Sequence, residues 1–298
     1  VGAIYGQAGF NWMINEMMTR DERPNVIGWA FGLIPWVCRI ATYGKSGITY
    51  GPKETNLVAV TQPHHFNTID RELLQDVCER PFGKGATQLA GNFLSFTLSV
   101  DNQIIHPARC YGLWTKCGGS WSTKAEVPFF YAEFDQFSAD TLEELDRDYE
   151  RIRQALRVRY ESLEFPFLMD YLSLERYTYH SANEDIKGSF TSSVTLAEIK
   201  PPIVANGQGG WELDRTHRFF HDDIHYGLCI AKWFAEKLGV GVPAIDRIID
   251  WAQRLRGETL LDEGGRLALG KGSDLCLPFN SGVPSVYGLD TLDQVLGC

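Results

Sequence analysis

The chain has 298 residues, 44% of them hydrophobic, which is enough for a substantial core and for two domains, and excludes a disordered chain. Its net charge of −10 is spread without a basic run, which disfavours nucleic acid and anionic membrane as partners. No window reaches the roughly 18–20 apolar residues of a membrane helix, and the cysteines, odd in number and without a C-x-x-C pair, read as reduced thiols of a cytoplasmic protein.

Val1 opens directly on VGAIYG, which reads as a strand, followed by a helix over AGFNWMINEMMTR with Phe10, Met13, Ile14, Met17 and Met18 on one side. NVIGWAF, GITYG and TNLVAV read as further strands, and IDRELLQDVCER as a helix beginning after Thr68. This alternation predicts part of an α/β sheet domain. No G-x-G-x-x-G follows any of these strands and the start looks like the middle of a domain, so the expectation is a fragment, with the first half of this α/β domain upstream of Val1.

From about Phe93 the pattern turns to long helices. SADTLEELDRDYERIRQALRVRYESL offers Thr141 as N-cap with Glu144 three residues on, a capping box, and repeats apolar residues at Leu142, Leu145, Tyr149, Ile152 and Leu156. FPFLMDYLSLERYTY predicts another helix, and HYGLCIAKWFAEKLG a third that ends at Gly239. Pro243 starts VPAIDRIIDWAQRLRG, whose Ile245, Ile248, Ile249, Ala252 and Leu255 form one stripe before Gly257. KPPIVANGQGGWELD interrupts this all-α half as a Pro- and Gly-rich loop with a small hairpin.

Chemistry-bearing residues concentrate in HRFFHDDIHYGL, His217 to Leu228. His217, His221 and His225 recur every four residues, within reach of a common ion on a helix, and Asp222 and Asp223 could complete a metal site. Against this, Arg218 would be repelled by a dication in the same turn, and Asp214 and Thr216 allow a loop start that scatters the histidines. The plainer reading makes the histidines a partly exposed polar face and the aspartates acids at a helix N-terminus. A third makes one aspartate the partner of a distant catalytic histidine, with Arg218 on a substrate carboxylate. His106, between the polar pair Asn102 and Gln103 and the helix-breaking Pro107, is either a core histidine or a general acid or base at a helix end.

GQAGF, FGLIPWVCR, the SVDNQIIHPARCYG run and DDIHYGLCIAKWFAEKLGVGVPAIDRIIDWAQ resemble the octopine and opine dehydrogenase family over nearly the whole chain, most specifically in the N-Q-x-x-H-P and D-x-x-Y-G-L segments. The resemblance implies an α/β plus all-α chain. Residues 1–93 would be the C-terminal part of a Rossmann-type NAD(P)-binding domain, and residues 94–298 an all-helical substrate domain. It implies an oxidoreductase that uses NADH or NADPH to condense a 2-oxo acid, commonly pyruvate, with the amino group of an amino acid through an imine. His106 would be the catalytic histidine, Asp223 its partner and Arg218 the holder of a substrate carboxylate, so the histidine-rich stretch holds no metal. Gln7 resembles a family position near the oxo acid, beside the plainer reading of a turn glutamine. Cys38 matches a cysteine near the family's active site, read here as a packed thiol. Arginine-using members carry an acid and a hydroxyl residue where this chain has Gly32 and Leu33, which argues against arginine as the amino substrate. The family's pyrophosphate-binding turn is missing from the sequence, so the cofactor-binding residues are unknown and the fragment alone is expected to be inactive. The alternatives are a metal-dependent hydrolase built on His217, His221 and His225, and a non-catalytic relative that keeps the helical domain.

Overall fold

The computed structural model describes residues 2–3, 6, 9–18, 26–61 and 68–297. These form two compact units, Val1–Ser99 with Tyr160–Ala182, and Val100–Arg159 with Asn183–Cys298.

The first unit runs β1 (Gly2–Ala3), α1 (Phe10–Met17), β2 (Trp29–Phe31), β3 (Trp36–Thr42), β4 (Ser46–Pro52), β5 (Asn56–Val60), α2 (Thr68–Phe82), β6 (Thr87–Leu89) and the short α3 (Leu94–Thr97). Its main sheet has the order β1-β2-β5-β6, with β1 parallel to β2, β5 parallel to β6 and an antiparallel pair between. Each parallel pair needs a crossover, which α1 and α2 supply. NLVAV of β5 is buried along its whole length, as a strand covered on both faces must be. Alternate residues serve opposite faces: Leu57 and Ala59 join Phe93 and Phe96, while Val58 and Val60 join Leu74 and Cys78. Within α1 the structure buries Trp12 and leaves Met17, expected on the buried side, 69% exposed. β3 and β4 form a separate hairpin. β3 escaped the sequence reading because irregularities between Val37 and Cys38 and between Ile40 and Thr42 break its period of two.

Segment 160–182, with α6 (Tyr171–Tyr179), packs in this first unit, so the chain is not divided by a single cut at 93/94. Nonlocal backbone bonds are the reason. The N–H groups of Glu54 and Thr55 donate to the carbonyl of Thr178, and Ser99 Oγ donates to Phe167 and accepts from Met169 N–H.

The second unit is built on α4 (Asn102–Cys117), α5 (Gln136–Arg159), α7 (Ile186–Thr191), α8 (Arg218–Asp223), α9 (Cys229–Leu238), α10 (Pro243–Arg256) and α11 (Leu292–Leu296). It is not wholly helical. β7 (Ser120–Trp121), β8 (Ile203–Ala205) and β9 (Trp211–Leu213) make a small antiparallel sheet, to which the expected hairpin contributes two strands. The apolar stripe Leu142, Leu145, Tyr149, Ile152, Leu156 of α5 is fully buried. The expected capping box is not used: α5 starts five residues before Thr141, Asp135 accepts from Ser138 N–H, and Thr141 Oγ1 donates back to the Phe137 carbonyl. α10 is capped from another helix, Asp148 of α5 accepting from Ala244 and Ile245 N–H at 2.7 and 3.0 Å. Among the described residues no helix is long and apolar enough to cross a membrane.

Candidate active site

All the site residues that can be placed lie in the second unit, on α4 and α8. Pro107 does not end a helix. It is carried inside α4, which continues to Cys117 at the cost of one intrahelical bond. His106 therefore sits in the second turn of a sixteen-residue helix and is 2% exposed. Asp223 ends α8 and is followed by a π-helical turn, Ile224–Leu228, of a kind that is costly in hydrogen-bond geometry and concentrated at functional sites. Gly227 in this turn lies so near α4 that a Cβ there would stand 2.5 Å from Gln103 Cβ. The close approach brings the two helices into register.

His106 Nδ1 lies 2.8 Å from Asp223 Oδ2, and Nε2 lies 3.1 Å from Tyr131 Oη. Phe219 stacks on the imidazole with centroids 3.6 Å apart and planes at 16°, and Phe130 tilts against it at 5.7 Å. The ring is thus fixed by its nitrogens and by its face. Burial pushes the Asp223 carboxyl well above the usual carboxylate range, against the pull of the Arg218 guanidinium. A carboxyl lifted in this way holds the Nδ1 proton more tightly than a solvated aspartate does. An imidazole and a carboxyl in this arrangement can pass a proton.

Arg218 opens α8, exposed to solvent, with Cζ 5.5 Å from the Phe219 ring centroid and no ion pair or hydrogen bond among the described residues. An unpaired guanidinium beside the buried pair is free to take a ligand carboxylate through two parallel bonds. Gln7 lies outside the described residues. Cys38 is exposed on β3 of the first unit rather than a packed thiol.

The three histidines do not share one site: His221 and His225 stay neighbours, with ring centroids 4.8 Å apart, while His217 has a separate role. His217 caps α8, its Nδ1 accepting from Phe219 N–H at 3.4 Å, and burial together with Arg218 lowers its pKa, which favours the neutral ring that this bond needs. His221 lies between the side chains of Asp222 and Asn280. His225 is fully buried and faces the Asn280 carbonyl and the Glu258 carboxylate at 2.8 and 3.0 Å. The cap position of His217 takes it out of the helical period that keeps His221 beside His225. Among the described residues no three metal-ligating side chains converge. Both aspartates close α8 instead of opening a helix, so Asp222 is an exposed neighbour of His221 rather than a dipole partner.

Sequence reasoning missed Tyr131, Phe219 and Arg109. Phe219 was hidden in a stretch read for its polar residues. Tyr131 reaches His106 from a turn 25 residues away, and no local pattern signals that contact.

Residues 89–256 match the family described as NAD/NADP octopine/nopaline dehydrogenase, alpha-helical domain. Tauropine dehydrogenase of Arabella iricolor is 27% identical over 299 residues, covering 98% of this chain and 71% of that protein. Octopine dehydrogenase of Pecten maximus is 27% identical over 295 residues, covering 97% and 70%. A solved structure of octopine dehydrogenase with NADH and L-arginine superimposes with a TM-score of 0.80 at 25% identity, over 99% of this chain and 70% of that one. A nicotinamide supplies a hydride and no proton, and a buried imidazole–carboxyl pair such as His106–Asp223 has the chemistry of a complementary acid, so the residues present fit that cofactor. With more than half of its length inside the family's helical domain, the chain belongs to the NAD/NADP octopine/nopaline dehydrogenases, oxidoreductases that join a Rossmann-type domain to a helical one.

Proposed function

We propose that the protein catalyses the NAD(P)H-dependent reductive condensation of a 2-oxo acid, pyruvate by family resemblance, with the amino group of an amino acid. The observation that carries this reading is the buried His106 Nδ1–Asp223 Oδ2 contact of 2.8 Å beside the unpaired Arg218. Amine and ketone must lose water to give an imine, which needs a proton delivered to the leaving oxygen near neutral pH. His106 delivers it. Asp223 keeps the proton on Nδ1 and stabilises the charged ring. Arg218 grips the carboxylate of the oxo acid and so fixes the face of the imine carbon. When bound, NADH or NADPH supplies the hydride. Gln7 is proposed to lie near the oxo acid on the resemblance alone. Gly32 and Leu33 offer neither charge nor hydroxyl, and the Phe96 ring occupies the space a side chain at Gly32 would need, which supports an amino substrate other than arginine.

The test is oxidation of NADH and NADPH by the full-length protein, given pyruvate with and without a pool of amino acids. Oxidation that requires the amine supports the proposal. Oxidation with pyruvate alone overturns it in favour of a ketone or hydroxy-acid reductase, and none with either cofactor points to a non-catalytic relative. In the active protein His106→Ala is expected to lower kcat by about 10²–10⁴-fold with the fold retained.

A further inference from the structure

His106 has a neighbour that the pairing with Asp223 does not account for. Tyr131 Oη lies 3.1 Å from Nε2, and Tyr131 is 7% exposed. With Asp223 taking Nδ1–H, the neutral ring presents Nε2 as an acceptor and the phenol donates to it. Once the ring is protonated, the same oxygen accepts from Nε2–H. A hydroxyl can meet both protonation states; a carbonyl or an N–H can meet only one.

The placement is built into the unit. Arg109, one turn beyond His106 on α4 and 1% exposed, donates to the carbonyls of Phe129, Phe130 and Glu133 at 3.1, 3.0 and 2.8 Å and to the Asp135 carboxylate. These four acceptors bracket Tyr131. Desolvation lowers the pKa of this guanidinium, and Asp135 works against that loss, so the buried cation is held by the turn it holds. The Tyr131 ring packs edge-on to Phe130 and tilted against Phe190, at 4.9 and 5.7 Å. Among the described residues, the charged and titratable groups around the pair include Asp223, Asp222 and Arg218 of α8, its cap His217, Tyr149 of α5, and Cys110 and Arg109 of α4. Burial pushes the Tyr149 phenol and the Cys110 thiol far up, so both stay neutral.

We infer that Tyr131 is a positioning residue of the reaction, whose hydroxyl holds Nε2 of His106 in line and sets how tightly His106 keeps its proton. The inference rests on His106 being the proton-transfer residue proposed above.

In the full-length protein, Tyr131→Phe keeps the ring packing and removes the oxygen. The charged imidazole then loses an acceptor for Nε2–H, a larger loss than the neutral ring suffers, so His106 becomes the stronger acid. The high-pH limb of kcat/KM in the reductive direction is expected to move down by about one pH unit, a loss of about tenfold above the limb. KM for the oxo acid is expected to stay within about twofold, since Arg218 is untouched. ¹⁵N NMR of histidine-labelled protein is expected to move the His106 Nε2 resonance toward that of an unbonded ring nitrogen, a reading independent of turnover. Should the phenylalanine variant not fold, 3-fluorotyrosine at position 131 keeps ring and hydroxyl, makes the phenol a poorer acceptor, and is expected to move the limb the same way by less. A limb and a resonance that both stay where they are overturn the role of Tyr131. Undiminished turnover in His106→Ala instead overturns the proposed function, and the NMR reading then stands as a test of the contact alone.

Discussion

At Asp223 stability and the proposed catalytic role pull in opposite directions, and burial sets the sign of the first. The carboxyl is held well above its ordinary value of 3.8, chiefly because burial disfavours the anion. An acid whose folded pKa is raised contributes a stability that is present at low pH and declines as pH rises through the unfolded value, near 4. Replacing it by the uncharged isostere is therefore expected to leave urea stability at pH 7 unchanged or slightly increased. Its effect on turnover is the reverse, since an amide neither fixes the proton on Nδ1 nor balances a charged imidazole: kcat is expected to fall by about a hundredfold or more. A structural aspartate would show the opposite pattern, and Asp222→Asn, whose side chain is 50% exposed beside His221, is expected to change kcat by less than about twofold. The role proposed for Arg218 is in binding. Arg218→Ala is expected to raise KM for the 2-oxo acid by about 10–100-fold, the value of a charge-assisted bidentate bond, with a smaller fall in kcat from looser placement. An unchanged KM would remove Arg218 from the carboxylate site.

Among the elements, the π turn is what holds α8 to α4, and glycine makes it possible. A methyl at Gly227 meets the Gln103 Cβ, which cannot swing aside as the end of a long side chain can. Gly227→Ala is expected to cost about 1–3 kcal/mol and to lower kcat by more than tenfold, because Gln103 lies one turn from His106 and the two helices must separate. Gly112→Ala is the comparison. Its methyl meets the Ser138 hydroxyl, which can rotate, on a part of α4 beyond the site. Loss of stability in both variants with loss of kcat only in the first, read by urea melts and steady-state rates, is the expected pattern. Much at this scale was legible beforehand. The stripes of α5 and α10 and the left-handed caps at Gly239 and Gly257 are written in local spacing. The start of α5 was not, because Asp135 and Thr141 are both good caps and tertiary packing around Arg109 decides between them. The four-residue spacing of the histidines holds for His221 and His225, whose rings are 4.8 Å apart, and fails at His217, which caps the helix instead of joining it.

For the molecule as a whole, the sequence showed two kinds of pattern but not the membership of segment 160–182. That membership depends on backbone bonds to Glu54 and Thr55, more than a hundred residues earlier in the chain, which no periodicity records. The pairing of His106 with Asp223 was legible where the resemblance reached, and the contact with Tyr131 was not. A similar long-range link fastens the end of the second unit. Glu258, just past α10, accepts from Arg256 and His225, and His225 also meets the Asn280 carbonyl, so one buried imidazole ties the π turn to two points of the C-terminal segment. Burial alone would raise the Glu258 carboxyl, but the bonds from His225 and Arg256 bring it down to about 2 from an ordinary 4.5. A folded pKa below the unfolded one means the stabilisation is complete above about 4.5 and is lost as pH falls toward 2. Glu258→Gln is therefore expected to lower stability by about 1–2 kcal/mol at pH 7, with allowance for solvent screening, and to have little effect at pH 2.5. Urea melts of the wild type and variant between pH 7 and pH 2.5 should converge at the acid end. Parallel curves would mean that the carboxylate is not what holds this segment in place.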